Sequence, residues 1–117
     1  MIEFEYKDFR VREQEKFNLG HNSKVFYYSC YKRGDIRIQE VSRENAIMED
    51  PTCAVLPCKT FHKAYSYDID IRIKSYCELT ETEIKEIIDN YLDSKIDFKS
   101  LASKGIILFI ENKYTKR

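Results

Sequence analysis

Tryptophan is absent from this sequence, and the chain carries only two prolines, two histidines and three glycines. So few turn-forming residues leave few sharp reversals, which argues against a many-stranded barrel. The glycines stand far apart at Gly20, Gly34 and Gly105, so no glycine-rich loop can cradle a phosphate. The sequence has neither a G-x-S-x-G elbow nor an H-E-x-x-H helix, and the acid–base repertoire is thin. No apolar run approaches the length of a membrane span; the longest, IILFI at 106–110, is five residues. The opening MIEFEYKDF is acidic where a secretory signal needs a basic start and an apolar stretch. A cytoplasmic location is therefore expected, where thiols stay reduced. The irregular spacing of Cys30, Cys53, Cys58 and Cys77 does not resemble a disulfide framework.

An excess of one charge is missing too. Lysine plus arginine and aspartate plus glutamate both number 20, whereas proteins that live on duplex phosphate usually carry a basic surplus. A general DNA-coating role is disfavoured.

What is present is a globular composition, 43% hydrophobic and 34% charged, in a length that suits one domain over residues 1–117. Nine tyrosines and seven phenylalanines favour strands and suit contact surfaces, because a tyrosine ring buries area while its hydroxyl stays hydrogen-bonded.

Periodicity places the elements. Ile2, Phe4 and Tyr6 alternate with Glu3 and Glu5 as in a half-buried strand. The phase slips at Lys7-Asp8, which predicts a bulge or tight turn before Phe9 and Val11. NLGHNS at 18–23 reads as a loop. VFYYSCY at 25–31 and the apolar Ile36, Ile38 and Val41 read as two strands of a hairpin turning at Gly34. Ser42 is placed to cap a short helix near 43–49 that Pro51 stops. Over 65–74, Tyr65, Tyr67, Ile69, Ile71 and Ile73 point to one face, and Ser66, Asp68, Asp70, Arg72 and Lys74 point to a solvated one. Thr80 and Glu83 form a capping box for a helix over 81–93, whose stripe is Ile84, Ile87, Ile88, Tyr91 and Leu92. A helical turn over 97–104 ends at Gly105, and 106–110 reads as an interior strand, parallel or antiparallel to the earlier one. The expected fold is one compact α+β domain. Its antiparallel or mixed sheet has four to five strands, with the main amphipathic helix packed on one face.

Three groups of residues could carry chemistry. Cys53, Cys58 and His62 have the C-x4-C-x3-H spacing of part of a zinc site, with Cys30, Cys77 or His21 as the only natural fourth ligands. The same residues could form a thiol–histidine pair if the stretch were helical. Against both stands the use of cysteine as small apolar filler, and no cofactor is expected. Asp68 and Asp70 could bind a cation or exchange protons, but Arg72 continues their row and an ordinary polar strand face explains it.

Tyr27, Tyr28, Tyr31, Lys32, Arg33 and Arg37 interleave rings with cations, which suits a protein contact or a stack of bases. Neighbouring residues of a strand face opposite ways, so Tyr27 and Tyr28 cannot both enter the core. Arg33-Gly34-Asp35 spells an adhesion tripeptide, for which a turn glycine is the sufficient explanation. These features point to a non-enzymatic module that occupies the surface of a protein partner. One concrete version is an inhibitor of a host defence nuclease carried by a phage, of the anti-CRISPR kind. That version rests on the lysine-, isoleucine- and tyrosine-rich composition alone. Single-stranded nucleic acid or nucleotide binding by the same residues is the second reading. A metal- or thiol-dependent enzyme built on Cys53, Cys58 and His62 is the third.

Overall fold

The computed structural model describes residues 2–14, 17–18 and 24–117. Seven strands appear among them: β1 (Glu3–Tyr6), β2 (Phe9–Glu13), β3 (Phe17–Asn18), β4 (Lys24–Lys32), β5 (Arg37–Ser42), β6 (Thr60–Ser75) and β7 (Ile106–Lys116). The helices are α1 (Arg43–Glu49), α2 (Glu81–Leu92) and α3 (Phe98–Ser103), with a 3-10 turn over Pro51–Val55. The fold is α+β, as expected, with more strands and helices than the sequence suggested. The expected loop at 18–23 falls mostly outside the described residues.

β6 is the spine. Along one edge it pairs with β7 from Tyr65↔Lys116 to Ser75↔Ile106. Along the other it pairs first with β5, at Thr60 to Tyr65, and then with β4, at Ile69 to Ser75. β2 and β1 continue the sheet outward from β4, and every pairing is antiparallel. β6 and β7 are thus antiparallel neighbours, which settles the orientation left open by the sequence.

Sidedness follows from register, because directly opposed residues share a face. Phe9, Val11, Tyr28, Cys30, Ile71, Ile73 and Leu108 lie on one face and are buried against Ile84, Ile87 and Ile88 of α2. The Tyr28 hydroxyl sits inside this core and accepts the Leu79 N–H at 2.9 Å. α2 begins with the expected capping box: Thr80 accepts the Glu83 N–H, and Glu83 accepts the Thr80 N–H. Leu92, predicted on its apolar stripe, is instead exposed at the last turn. Lys7 and Asp8 both adopt positive φ, 47° and 67°, and make the tight turn between β1 and β2 that the phase slip predicted. Gly105, at φ 79°, ends α3 in the left-handed conformation that glycine takes without penalty.

Three expectations need correction. β7 is an edge strand, not an interior one, so Ile107 and Phe109 project from the face that α2 leaves bare. β4 and β5 form no hairpin: they lie end to end along the same edge of β6. Between the pairs Lys32↔Ile69 and Arg37↔Tyr65, four residues of the outer strand pass three of β6, so the break is a bulge with one extra residue. Gly34 serves a close approach there rather than a turn, since a Cβ at that position would strike the Tyr67 carbonyl oxygen.

The domain is also less compact than expected. It measures 63 × 33 × 25 Å, and its radius of gyration is 19.8 Å. A compact chain of this length would have about 13 Å. The extension is an arm built from β5, α1, the 3-10 turn, the first half of β6 and the end of β7. The helices α2 and α3 and the hydrophobic core belong to the other half, the body.

Candidate functional site

The arm meets the body at Asp68. In the sequence this residue belongs to an alternating polar row, for which solvent exposure was expected; in the fold it is fully buried. The bulge makes the difference, because the outer strand folds over the carboxylate instead of pairing past it. Asp68 Oδ1 accepts the Gly34 N–H at 3.0 Å and the Ser66 hydroxyl at 2.9 Å. Its Oδ2 accepts the Tyr31 hydroxyl, the Thr115 hydroxyl at 2.8 Å and Arg117 Nη2 at 2.9 Å. Arg117 Nε also reaches Ser66 Oγ at 2.8 Å. One carboxylate thereby ties together β4, the bulge, β6 and the end of β7. Burial by itself would push the Asp68 pKa up; the bonds from Tyr31, Gly34, Thr115 and Ser66 outweigh it and hold the carboxyl well below the ordinary range. With every oxygen engaged, Asp68 is a structural anion and is not placed to move protons.

Asp70 is buried as well, against expectation. Its Oδ2 meets Arg72 at 3.3 Å and Lys113 at 3.2 Å, and its Oδ1 has no hydrogen-bond partner. It lies beside a groove of about 790 Å³ on the bare face, lined by Tyr27, Arg72, Lys74, Phe109 and Glu111 among others.

The aromatic-basic group read from the sequence is split by this geometry. Tyr28 is 1% exposed and belongs to the core. Tyr27 lines the bare-face groove, and Tyr31 on the same face is held by Asp68. Lys32 lies on the opposite face, 5.8 Å from the Phe9 ring centroid. Arg33 is exposed in the bulge. Arg37 falls on the helix-bearing side, because the extra bulge residue reverses the parity of the outer strand. These six residues do not form one surface.

Cys53, Cys58 and His62 are not assembled into a metal site either. Among the described residues no cluster of three or more His, Cys, Asp or Glu side chains could hold a metal; His21 lies outside those residues. Cys58 sits in the bend before β6 and His62 on β6 itself, so no shared helical face brings thiol and imidazole together. Arg43 shapes this stretch by donating to the carbonyls of Leu56, Cys58 and Ala54, the last at 2.7 Å. Cys30 is core, with its thiol pushed up to about 12 by burial and by the nearby Asp70 charge.

What sequence reasoning missed is the arm. Ala46 is its only residue among the buried hydrophobics, while Ile38, Met48 and Val55 are 70%, 82% and 84% exposed. Ile36 and Leu56 are exposed as well. On its helix-bearing face, Tyr65 stacks on Tyr114 with ring centroids 5.5 Å apart, and Tyr67 meets both edge-on. One signal was available: alternation breaks down between 43 and 59, where no apolar stripe is long enough to build a core.

No helix among the described residues is long and apolar enough to cross a membrane. Comparison with protein-family models, with curated proteins and with solved structures finds no match, so the arm, its joint and the groove stand as the grounds for function.

Proposed function

We propose that the protein is a binding module that captures another protein with its arm. The observation that carries this reading is the imbalance within the arm: large apolar side chains are exposed while almost none are buried. Apolar side chains left exposed in this number, with no core of their own beneath them, suit a contact site. The Asp68 joint presents it rigidly, which lowers the ordering cost of association. β5 adds a free strand edge, since among the described residues it pairs with β6 alone. Occupying a partner surface needs no catalytic group, and a defence-nuclease partner remains the version suggested by composition.

The test is affinity capture from the native host with the wild type and with an Ile38→Asp, Met48→Asp, Val55→Asp variant. Loss of a specific captured protein with unchanged thermal unfolding is expected. Equal capture by both proteins would remove the arm from consideration.

The bare-face groove favours a second reading, nucleotide or single-strand binding, because Tyr27 and Phe109 stand beside Arg72 and Lys74. Oligonucleotide binding that weakens steeply with salt would support it, and no binding at low salt would dispose of it.

A further inference from the structure

We propose that the free edge of β7 pairs with β7 of a second copy of this chain, antiparallel and centred on Asn112. This goes beyond the arm reading and rests on different residues.

The first observation is which backbone groups face outward. The Arg117 N–H donates to Ala64 O and the Tyr76 N–H donates to Gly105 O, each at 3.0 Å. Both pairs continue the β6–β7 register. Odd-numbered positions of β7 therefore direct their N–H and C=O groups toward β6. By the alternation of an antiparallel ladder, Leu108, Ile110, Asn112, Tyr114 and Lys116 direct theirs away from it. Among the described residues β7 pairs with no other strand. Exposed edges are ordinarily blunted by proline, bulges, shortness or charged side chains, lysine above all. β7 does carry charge, but Glu111 and Lys113 beside Asn112 are of opposite sign. β7 has eleven residues, no proline and an unbroken register.

The second observation is charge. A two-fold axis perpendicular to the sheet keeps helix-bearing face beside helix-bearing face, so it must pass through a residue rather than between two. Through Glu111 it would set that carboxylate opposite its own copy, and through Lys113 it would do the same with two ammonium groups; like charges directly opposed destabilise a sheet. Through Asn112 it sets Glu111 of each chain opposite Lys113 of the other, twice. The outward amides of Asn112 then bond each other, and those of Ile110 bond those of Tyr114. An axis through Ile110 gives an equal overlap but sets Glu111 opposite Phe109 and Lys113 opposite Ile107, without the two opposite-charge pairs. An axis nearer either end shortens the overlap.

This register also gives the arm a neighbour. The arm end of β7 comes to lie beside the body half of the second copy's β7. Tyr114, which is 48% exposed, is placed opposite Ile110 on the face where α3 packs against β7.

The test is sedimentation velocity of the full chain across the micromolar range. The wild type is expected at the mass of two chains. Asn112→Pro is expected at the mass of one with its fold intact, because the lost N–H points away from β6 and serves no bond within the chain. Glu111→Lys, at an exposed side chain, sets lysine against lysine at two places and should weaken association roughly tenfold. The arm variant Ile38→Asp, Met48→Asp, Val55→Asp should keep the two-chain mass, which separates this proposal from the arm reading. A wild type of one-chain mass at the highest concentration would overturn the proposal. So would variants of both Asn112 and Glu111 that retain the wild-type mass.

Discussion

Arg117 and Asp68 are 49 residues apart in the chain and 2.9 Å apart in space. The pair closes the ring of donors around a carboxylate with no exposed surface, at the point where a core-bearing body becomes a core-poor arm.

Removing that carboxylate strands its donors. Asp68→Ala leaves three hydroxyls, the Gly34 N–H and the part-exposed Arg117 guanidinium without their acceptor, and stranding a buried hydrogen-bonding group costs about 1–3 kcal/mol. A denaturant titration should show the midpoint fall by the corresponding amount. A loss under 1 kcal/mol would mean that water replaces the carboxylate without penalty.

The same group sets an acid limit. The Asp68 carboxyl is depressed in the folded state, so the stability it contributes is fully present above its unfolded value of about 4 and is lost as pH falls below that. Thermal midpoints measured downward from neutral pH should drop below pH of about 4. Asp50 and Asp89 are depressed as well, through hydrogen bonds from Thr52 and Lys7 respectively, so the comparison that isolates Asp68 is with Asp68→Asn. That variant should start lower and fall less steeply.

Gly34→Ala tests the bulge. The added methyl meets the Tyr67 carbonyl, a backbone atom that cannot swing aside. Overpacking of this kind costs about 1–3 kcal/mol. Unchanged stability on chemical unfolding would show that the outer strand passes Tyr67 at a greater distance.

Thiol accessibility reports the core. Cys58 and Cys77 are exposed, Cys53 is half-buried, and Cys30 is buried with its thiolate strongly disfavoured. An aromatic disulfide reagent at neutral pH should modify Cys58 and Cys77 quickly, Cys53 more slowly, and Cys30 only at the rate of unfolding.

Much of the body was legible in the sequence, because its elements carry their own signals. The Thr80–Glu83 box starts α2, and the one arm element marked in the same way is α1, which Ser42 caps by accepting the Asn45 N–H at 3.3 Å. Alternation at 65–74 marked β6, although that strand extends further, from Thr60 to Ser75. The arm was illegible because Gly34 has two uses. A glycine between two strand-like runs predicts a turn, and nothing local shows that both runs will line one edge of a sixteen-residue strand. Once the hairpin is gone, Arg37 moves to the helix-bearing face, away from Tyr27 and Tyr31. The burial of Asp68 was missed for the same reason, since the bulge brings the Gly34 N–H onto the carboxylate beside Tyr31, Thr115 and Arg117. The stretch between α1 and β6, weighed in the sequence only for Cys53 and Cys58 together with His62, is the tip of the arm.

The most direct measurement is amide hydrogen exchange across β5 and the first half of β6, in the wild type and in Asp68→Asn. If the carboxylate joint fixes the arm, those amides exchange slowly in the wild type and much faster in the variant, while α2 and β4 stay unchanged. Equal exchange from the arm in both proteins would contradict it.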